Sequence, residues 1–109
     1  MKNFILLICL LFTQTAIAEN VWFTGTVKSL YPTADGKIVV MLNEDSPQCT
    51  HPGNPKYHYI EVGQNSVTSE ALTHMYSALL TAGTSKKTVS INFDKDSSAC
   101  YINRLKINF

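Results

Sequence analysis

The side chains with chemistry to offer are few: three histidines, three cysteines, eight carboxylates and a handful of aromatics. His51, His58 and His74 are the candidate metal ligands, but no two stand at the i, i+4 spacing of a helical zinc site. They read as ordinary surface or hydrogen-bonded histidines. "DKDSS" (Asp94 to Ser98) sets two carboxylates two residues apart, as calcium loops do. It lacks the later glycine and the distal glutamate of such a loop and reads as a solvated hairpin turn. There is no GxSxG nucleophile elbow, and Glu44 and Asp45 stand in a loop with no pattern that would bury them. Neither a catalytic residue nor a metal or cofactor is expected, and the chain reads as a non-enzyme.

The aromatic side chains carry more. Trp22, Tyr31, Tyr57 and Tyr59 offer flat apolar faces with polar tips, the chemistry that suits a sugar or a protein partner. Tyr57 and Tyr59 alternate along one segment, so they share a face; that face is either a binding surface or core. Tyr76 falls in a helical apolar stripe and reads as core.

The two ends of the chain bound where this chemistry happens. Lys2, the apolar run "FILLICLLF" (Phe4 to Phe12) and the small residues Ala16 to Ala18 make a secretory signal, with cleavage expected after Ala18. The run is too short to span a bilayer, so no retained membrane anchor is expected. Cys9 lacks the small residues that precede a lipid-modified cysteine. Loss of Lys2 takes the formal charge from +1 to zero. A neutral domain has no electrostatic signature of nucleic-acid binding, and no polybasic segment marks a membrane-surface helix. Cleavage also leaves Cys49 and Cys100 as a pair in a secreted or periplasmic, oxidising setting. A disulfide between them would close a loop of roughly 50 residues, for about 4 kcal/mol at most in the chain-entropy account. A domain this small needs such a staple.

The elements that must position these residues follow from periodicity and turn chemistry. Asn20 to Tyr31 is β-branched and aromatic and reads as a strand, with Gly25 suggesting a bulge or bend. "PTADG" (Pro32 to Gly36) is a turn. Lys37 to Asn43 is a second strand, and its apolar run implies cover on both faces or a central place. Glu44 to Pro55 is an irregular, proline-rich loop. Lys56 to Gly63 alternates as a third strand, with Tyr57, Tyr59 and Glu61 opposite His58, Ile60 and Val62. The period then changes: Leu72, Met75, Tyr76, Leu79 and Leu80 mark an amphipathic helix. Thr68 or Ser69 caps its start and Gly83 is placed to end it. Lys87 to Phe93 is a fourth strand. Cys100 to Phe109 is a fifth, with a slip near Asn103 that suggests another bulge. Across that slip Ile102, Arg104 and Lys106 are expected opposite Tyr101, Leu105 and Ile107.

The order is β-β-β-α-β-β in a single domain over residues 19–109, mainly β with one helix. A five-stranded barrel with its helix between strands three and four is the OB-fold arrangement. An open α+β sheet is the alternative. In the barrel strands three and five run parallel and side by side, which brings Cys49 and Cys100 to one end. Strands two and three form the usual binding surface of such a fold.

These pieces resemble a group of small, mostly uncharacterised secreted bacterial proteins with one disulfide. The shared motifs are "GTV" (Gly25 to Val27), "DGKIVVML" (Asp35 to Leu42), Cys49, "ALLTA" (Ala78 to Ala82), "KTVSI" (Lys87 to Ile91) and "CYI" (Cys100 to Ile102). The layout is also similar to the OB-fold binding subunits of subtilase and pertussis-like bacterial toxins. That resemblance implies a homo-oligomeric ring and a glycan partner, though no sugar-contacting residue is carried over. The functional expectation is a non-catalytic binding module for a glycan or a protein. The alternative is an accessory envelope protein acting through protein contacts at a strand edge.

Overall fold

The computed structural model describes residues 18–109, so the expected signal segment lies outside the described residues except for Ala18. The elements follow the expected order: β1 (Asn20–Pro32), β2 (Ile38–Leu42), β3 (His58–Ile60), α1 (Ser69–Ser85), β4 (Thr88–Asp94) and β5 (Ile102–Asn108). One antiparallel sheet runs β3-β2-β1-β4-β5. β1, at 13 residues, serves two partners. Asn20 to Thr26 pair with β4, and Val27 to Pro32 pair with β2. Where β1 passes from one partner to the other, its register slips between Val27 and Ser29.

That slip is a bulge, and it changes which side chains face inward. Val21, Phe23 and Val27 pack on the core from the first half of β1, but Leu30 does so from the second half. Without the extra residue the alternation would send Tyr31 inward. Gly25, expected at a bulge or bend, is not a bulge: it pairs with Val89 in regular register. Its glycine has another cause. A Cβ there would lie 2.6 Å from Oε2 of Glu44, which accepts the Thr26 backbone N–H at 2.8 Å. That bond is the main reason the Glu44 carboxyl is held below its ordinary pKa.

The slip expected near Asn103 is present: Phe93 pairs with Ile102 and Asn92 with Arg104, leaving Asn103 as the extra residue. The inward set differs from the expected one. Ile102 joins Leu105 and Ile107 on the core, while Arg104 and Lys106 are exposed. A bulge inverts the alternation after it, so residues on either side of Asn103 change faces.

The core lies between the concave face of the sheet and α1. Ile38, Val40, Leu42, Ile60, Val89, Ile91, Phe93 and Ile102 supply the sheet side, and Met75, Leu79 and Ala82 the helix side. Thr68 caps the helix, its Oγ1 accepting from Ala71 N at 3.1 Å. The helix continues through Gly83 and ends at Lys86, which takes the left-handed conformation expected of Gly83. Leu80, expected in the apolar stripe, is 43% exposed, and Ala82 takes its place. α1 rests on β1, β4 and β5.

The barrel expected from the strand order is not closed by a ladder. β3 and β5 form the two edges of an open sheet that curls until they meet. Alternating antiparallel pairs make these edges run in the same direction, as expected. They are joined by a backbone bond from Tyr59 N to Ala99 O, 3.2 Å. Beside it stands the Cys49–Cys100 disulfide, with a Cα–Cα distance of 5.7 Å across a sequence separation of 51. No helix among the described residues is long and apolar enough to cross a membrane.

Candidate functional site

β3 divides its side chains as the alternation requires. His58 and Ile60 go inward and are buried. Tyr59, with Tyr57 just before the strand, is half-buried on the outer face. The ladder extends that face: Tyr31 of β1 stands opposite Val39 of β2, which stands opposite Tyr59 of β3. Val39 is only 2% exposed yet lies outside the core cluster. It is an apolar floor between two tyrosines on the solvent side of the sheet. Lys37 and Met41 share its parity along β2.

The proline-rich loop brings a further ring to this face. His51 packs edge-on to Tyr57 at 5.0 Å between centroids and tilts against Tyr59 at 6.0 Å. Its Nδ1 accepts from Gly53 N at 2.9 Å, which leaves Nε2 as the donor of a neutral ring. A Cβ on Gly53 would fall 2.7 Å from His51 Cε1, so only glycine permits this approach.

A cleft of about 350 Å³ opens beside these rings, lined by Lys37, His51, Pro52, Tyr59, Ala99 and Tyr101 among others. Its volume is in the range of small-ligand sites, about 300–1,000 Å³. Burial, together with the neighbouring Glu61 carboxylate, raises the Tyr101 pKa, so its phenol stays protonated. Lys37 pairs with Asp35 at 3.3 Å. Each holds the other charged: the Lys37 pKa is raised by Asp35, and the Asp35 pKa is lowered by Thr33 first and then Lys37. The cleft thus offers phenol and imidazole faces for an apolar ring surface. Phenol, imidazole N–H and ammonium groups supply the polar contacts.

Three of the four aromatic residues singled out in the sequence therefore share one face: Tyr31, Tyr57 and Tyr59. Trp22 does not join them. It is 51% exposed on the other half of the sheet, where Lys106 Nζ lies 5.4 Å from its ring centroid. His51 and Tyr101 were not foreseen here. A histidine in a proline-rich loop and a tyrosine beside the second half-cystine carry no sequence signal that they will converge.

The histidines are in three separate places. His51 lines the cleft, His58 is in the core, and His74 is exposed on α1 at 3.7 Å from Glu70. Cys49, His58 and Cys100 do come within 4.8 Å of one another. The disulfide leaves neither sulfur as a thiolate ligand, however. His58 instead stacks edge-on to Phe93 at 4.6 Å and places Nδ1 3.3 Å from Cys100 O. Desolvation lowers its pKa to about 4. Asp94 Oδ1 accepts from Asp96 N at 2.9 Å, which makes "DKDSS" a self-bonded turn.

No protein-family model and no curated protein matches this chain. Its fold is similar to a solved structure, that of human heat-labile enterotoxin in complex with a blood group A antigen analog. The TM-score is 0.59 over 83% of this chain and 86% of that one, at 9% sequence identity. At that identity the likeness is one of fold.

Proposed function

We propose that the chain is an exported, non-catalytic module that binds a glycan on the outer face of β1, β2 and β3. The observation that carries this reading is the cleft lined by Tyr59, Tyr101 and His51 at the end of the tyrosine face. Sugars present C–H faces that pack on aromatic rings and hydroxyls that bond to phenol, imidazole and ammonium groups. The fold likeness to a toxin solved with a blood-group antigen analog supports the same reading. Its layout suits the OB-fold class of toxin binding subunits, and a homo-oligomeric ring with cleavage after Ala18 belongs to the proposal.

The test is an array of immobilised glycans probed with the exported chain and with Tyr59→Ala. Signal from the parent, lost in a variant that melts normally, is the expected result. A chain that captures no glycan, while pulling one dominant envelope protein from periplasm, would instead establish the accessory role. Light scattering separates a ring from a monomer, and intact mass establishes the cleavage site.

A further inference from the structure

Tyr101 lines a second cleft as well as the first. The second is larger, about 710 Å³, and different in character. Asn20, Asn65, Asp94, Asn103 and Arg104 are among its walls. The turn between β4 and β5 divides the two: Ser97 faces the second cleft, Ser98 and Ala99 the first.

The second cleft is held in shape by its own amides. Asn65 donates to Asn20 Oδ1 at 2.7 Å and to Tyr101 O at 2.9 Å. Asn103 donates to Asn65 O at 2.6 Å, and its Oδ1 accepts from Arg104 Nε at 2.9 Å. Asn65 sits at φ 52° and Ser66 at φ 67°. Such a conformation is kept only where surrounding bonds hold it. These bonds leave groups without partners among the described residues: Asn20 Nδ2 and the Arg104 Nη atoms as donors, Asn65 Oδ1 and Asp94 Oδ2 as acceptors.

That inventory selects a ligand chemistry. Donors and acceptors are mixed, and one carboxylate and one guanidinium stand among the walls. A lone anion would meet Asp94 and a lone cation would meet Arg104. Adjacent hydroxyls, each of which both donates and accepts, suit such a set.

We propose that the amide-walled cleft is a second subsite for a neutral, polyhydroxylated sugar unit. One oligosaccharide then runs over the β4–β5 turn with one unit in each cleft and Tyr101 beneath the linkage. This rests on the glycan-binding reading of the first cleft. It adds that a single sugar fills only half the site, so affinity rises steeply when a second unit is attached, through the high effective concentration of linked groups.

The test uses the strongest oligosaccharide from a printed array of mono- to hexasaccharides. That oligosaccharide, and the same molecule shortened by one sugar from either end, are titrated into the parent, Tyr59→Ala, Arg104→Ala and Asp94→Asn. Arg104 is exposed, and Asp94→Asn retains the oxygen that bonds Asp96 N, so both variants should fold. Each should weaken the full oligosaccharide about five- to tenfold, as for one or two lost hydrogen bonds. Removing one particular end should weaken the parent and Tyr59→Ala by the same factor and Arg104→Ala by a factor about five- to tenfold smaller, because the Arg104 bonds to that sugar are already gone. If Arg104→Ala and Asp94→Asn bind the full oligosaccharide as the parent does while Tyr59→Ala does not, the second subsite is wrong and the first cleft stands. A requirement for a charged sugar at that end also overturns it. An array with no signal removes both readings together.

Discussion

The two faces of β3 invert the usual order of polarity. His58 points inward, 2% exposed, between a disulfide and a phenylalanine ring. Tyr57 and Tyr59, each a larger apolar surface, point outward beside a loop histidine. The difference teaches that a face is assigned by what lies across from it. The inward side has Val40 opposite His58 and Ile38 opposite Ile60, and Val40, Ile38 and Ile60 all belong to the buried core. A neutral imidazole is tolerated there because its Nδ1 meets a carbonyl and its ring meets Phe93. The outward side has Val39 and no helix, so its tyrosines are left half in water, available to a ligand.

The comparison can be broken most severely at the inner seam. Cys100→Ser should lower stability by about 2–5 kcal/mol, because the bridge closes a long loop, with a sequence separation of 51, and ties the loop before β3 to the residue ahead of β5. Urea unfolding of the oxidised parent and the variant measures it. An unchanged midpoint would mean that the seam does not depend on the bridge.

Leu79→Ala belongs to the same inner side, since Leu79 is wholly buried under the sheet. A loss of about 2–5 kcal/mol is expected. Leu80→Ala is its control and should stay within about 0.5 kcal/mol, the usual range for an exposed position. Similar losses from both would place Leu80 in a buried contact.

The inner histidine should make the fold sensitive to acid. Its folded pKa, about 4, lies below the ordinary 6.5 because burial opposes the charge. A depressed folded pKa gives stability that is present above pH 6.5 and is lost as pH falls towards 4. The full loss is roughly 3 kcal/mol, at a slope approaching 1.4 kcal/mol per pH unit. Denaturant melts between pH 7 and 4.5 should show that slope in the parent and a flatter one in His58→Gln. Equal slopes would mean that His58 is not the group protonated.

The outer face should give the smallest change in stability and the sharpest in binding. Tyr59→Ala is expected to shift stability by less than about 1 kcal/mol, since the ring is half in solvent and outside the core. In the glycan reading the same change costs about 2 kcal/mol or more of binding energy. Early melting of Tyr59→Ala would make the outer face structural and collapse the contrast between the two sides of β3.

Much of this architecture is legible in local sequence. Alternation over Tyr57 to Ile60 separates the two faces of β3, and Thr68 announces the helix. The even cysteine count after Ala18 implies the bridge. These signals need only residues close in the chain or a count. Lys86, rather than Gly83, ends the helix, and both Ala82, buried, and Gly83, beside Val27, are inside it and packed on the sheet. Local glycine chemistry cannot report that packing.

The sequence by itself determined the order of the described elements, the place of the helix α1, the disulfide pair and which tyrosines share a face. Tertiary structure decided the rest. The bulge between Val27 and Ser29 turned Tyr31 outward, and the extra residue Asn103 placed Arg104 on the surface. Curling of the open sheet then carried Tyr101, just before β5, to the edge of β3 beside Tyr59 and His51. The physical reason is register. A bulge forms where one strand must serve two partners or follow a bend, and that demand comes from strands far away in sequence. The clefts on either side of Tyr101 exist only after those distant strands have met.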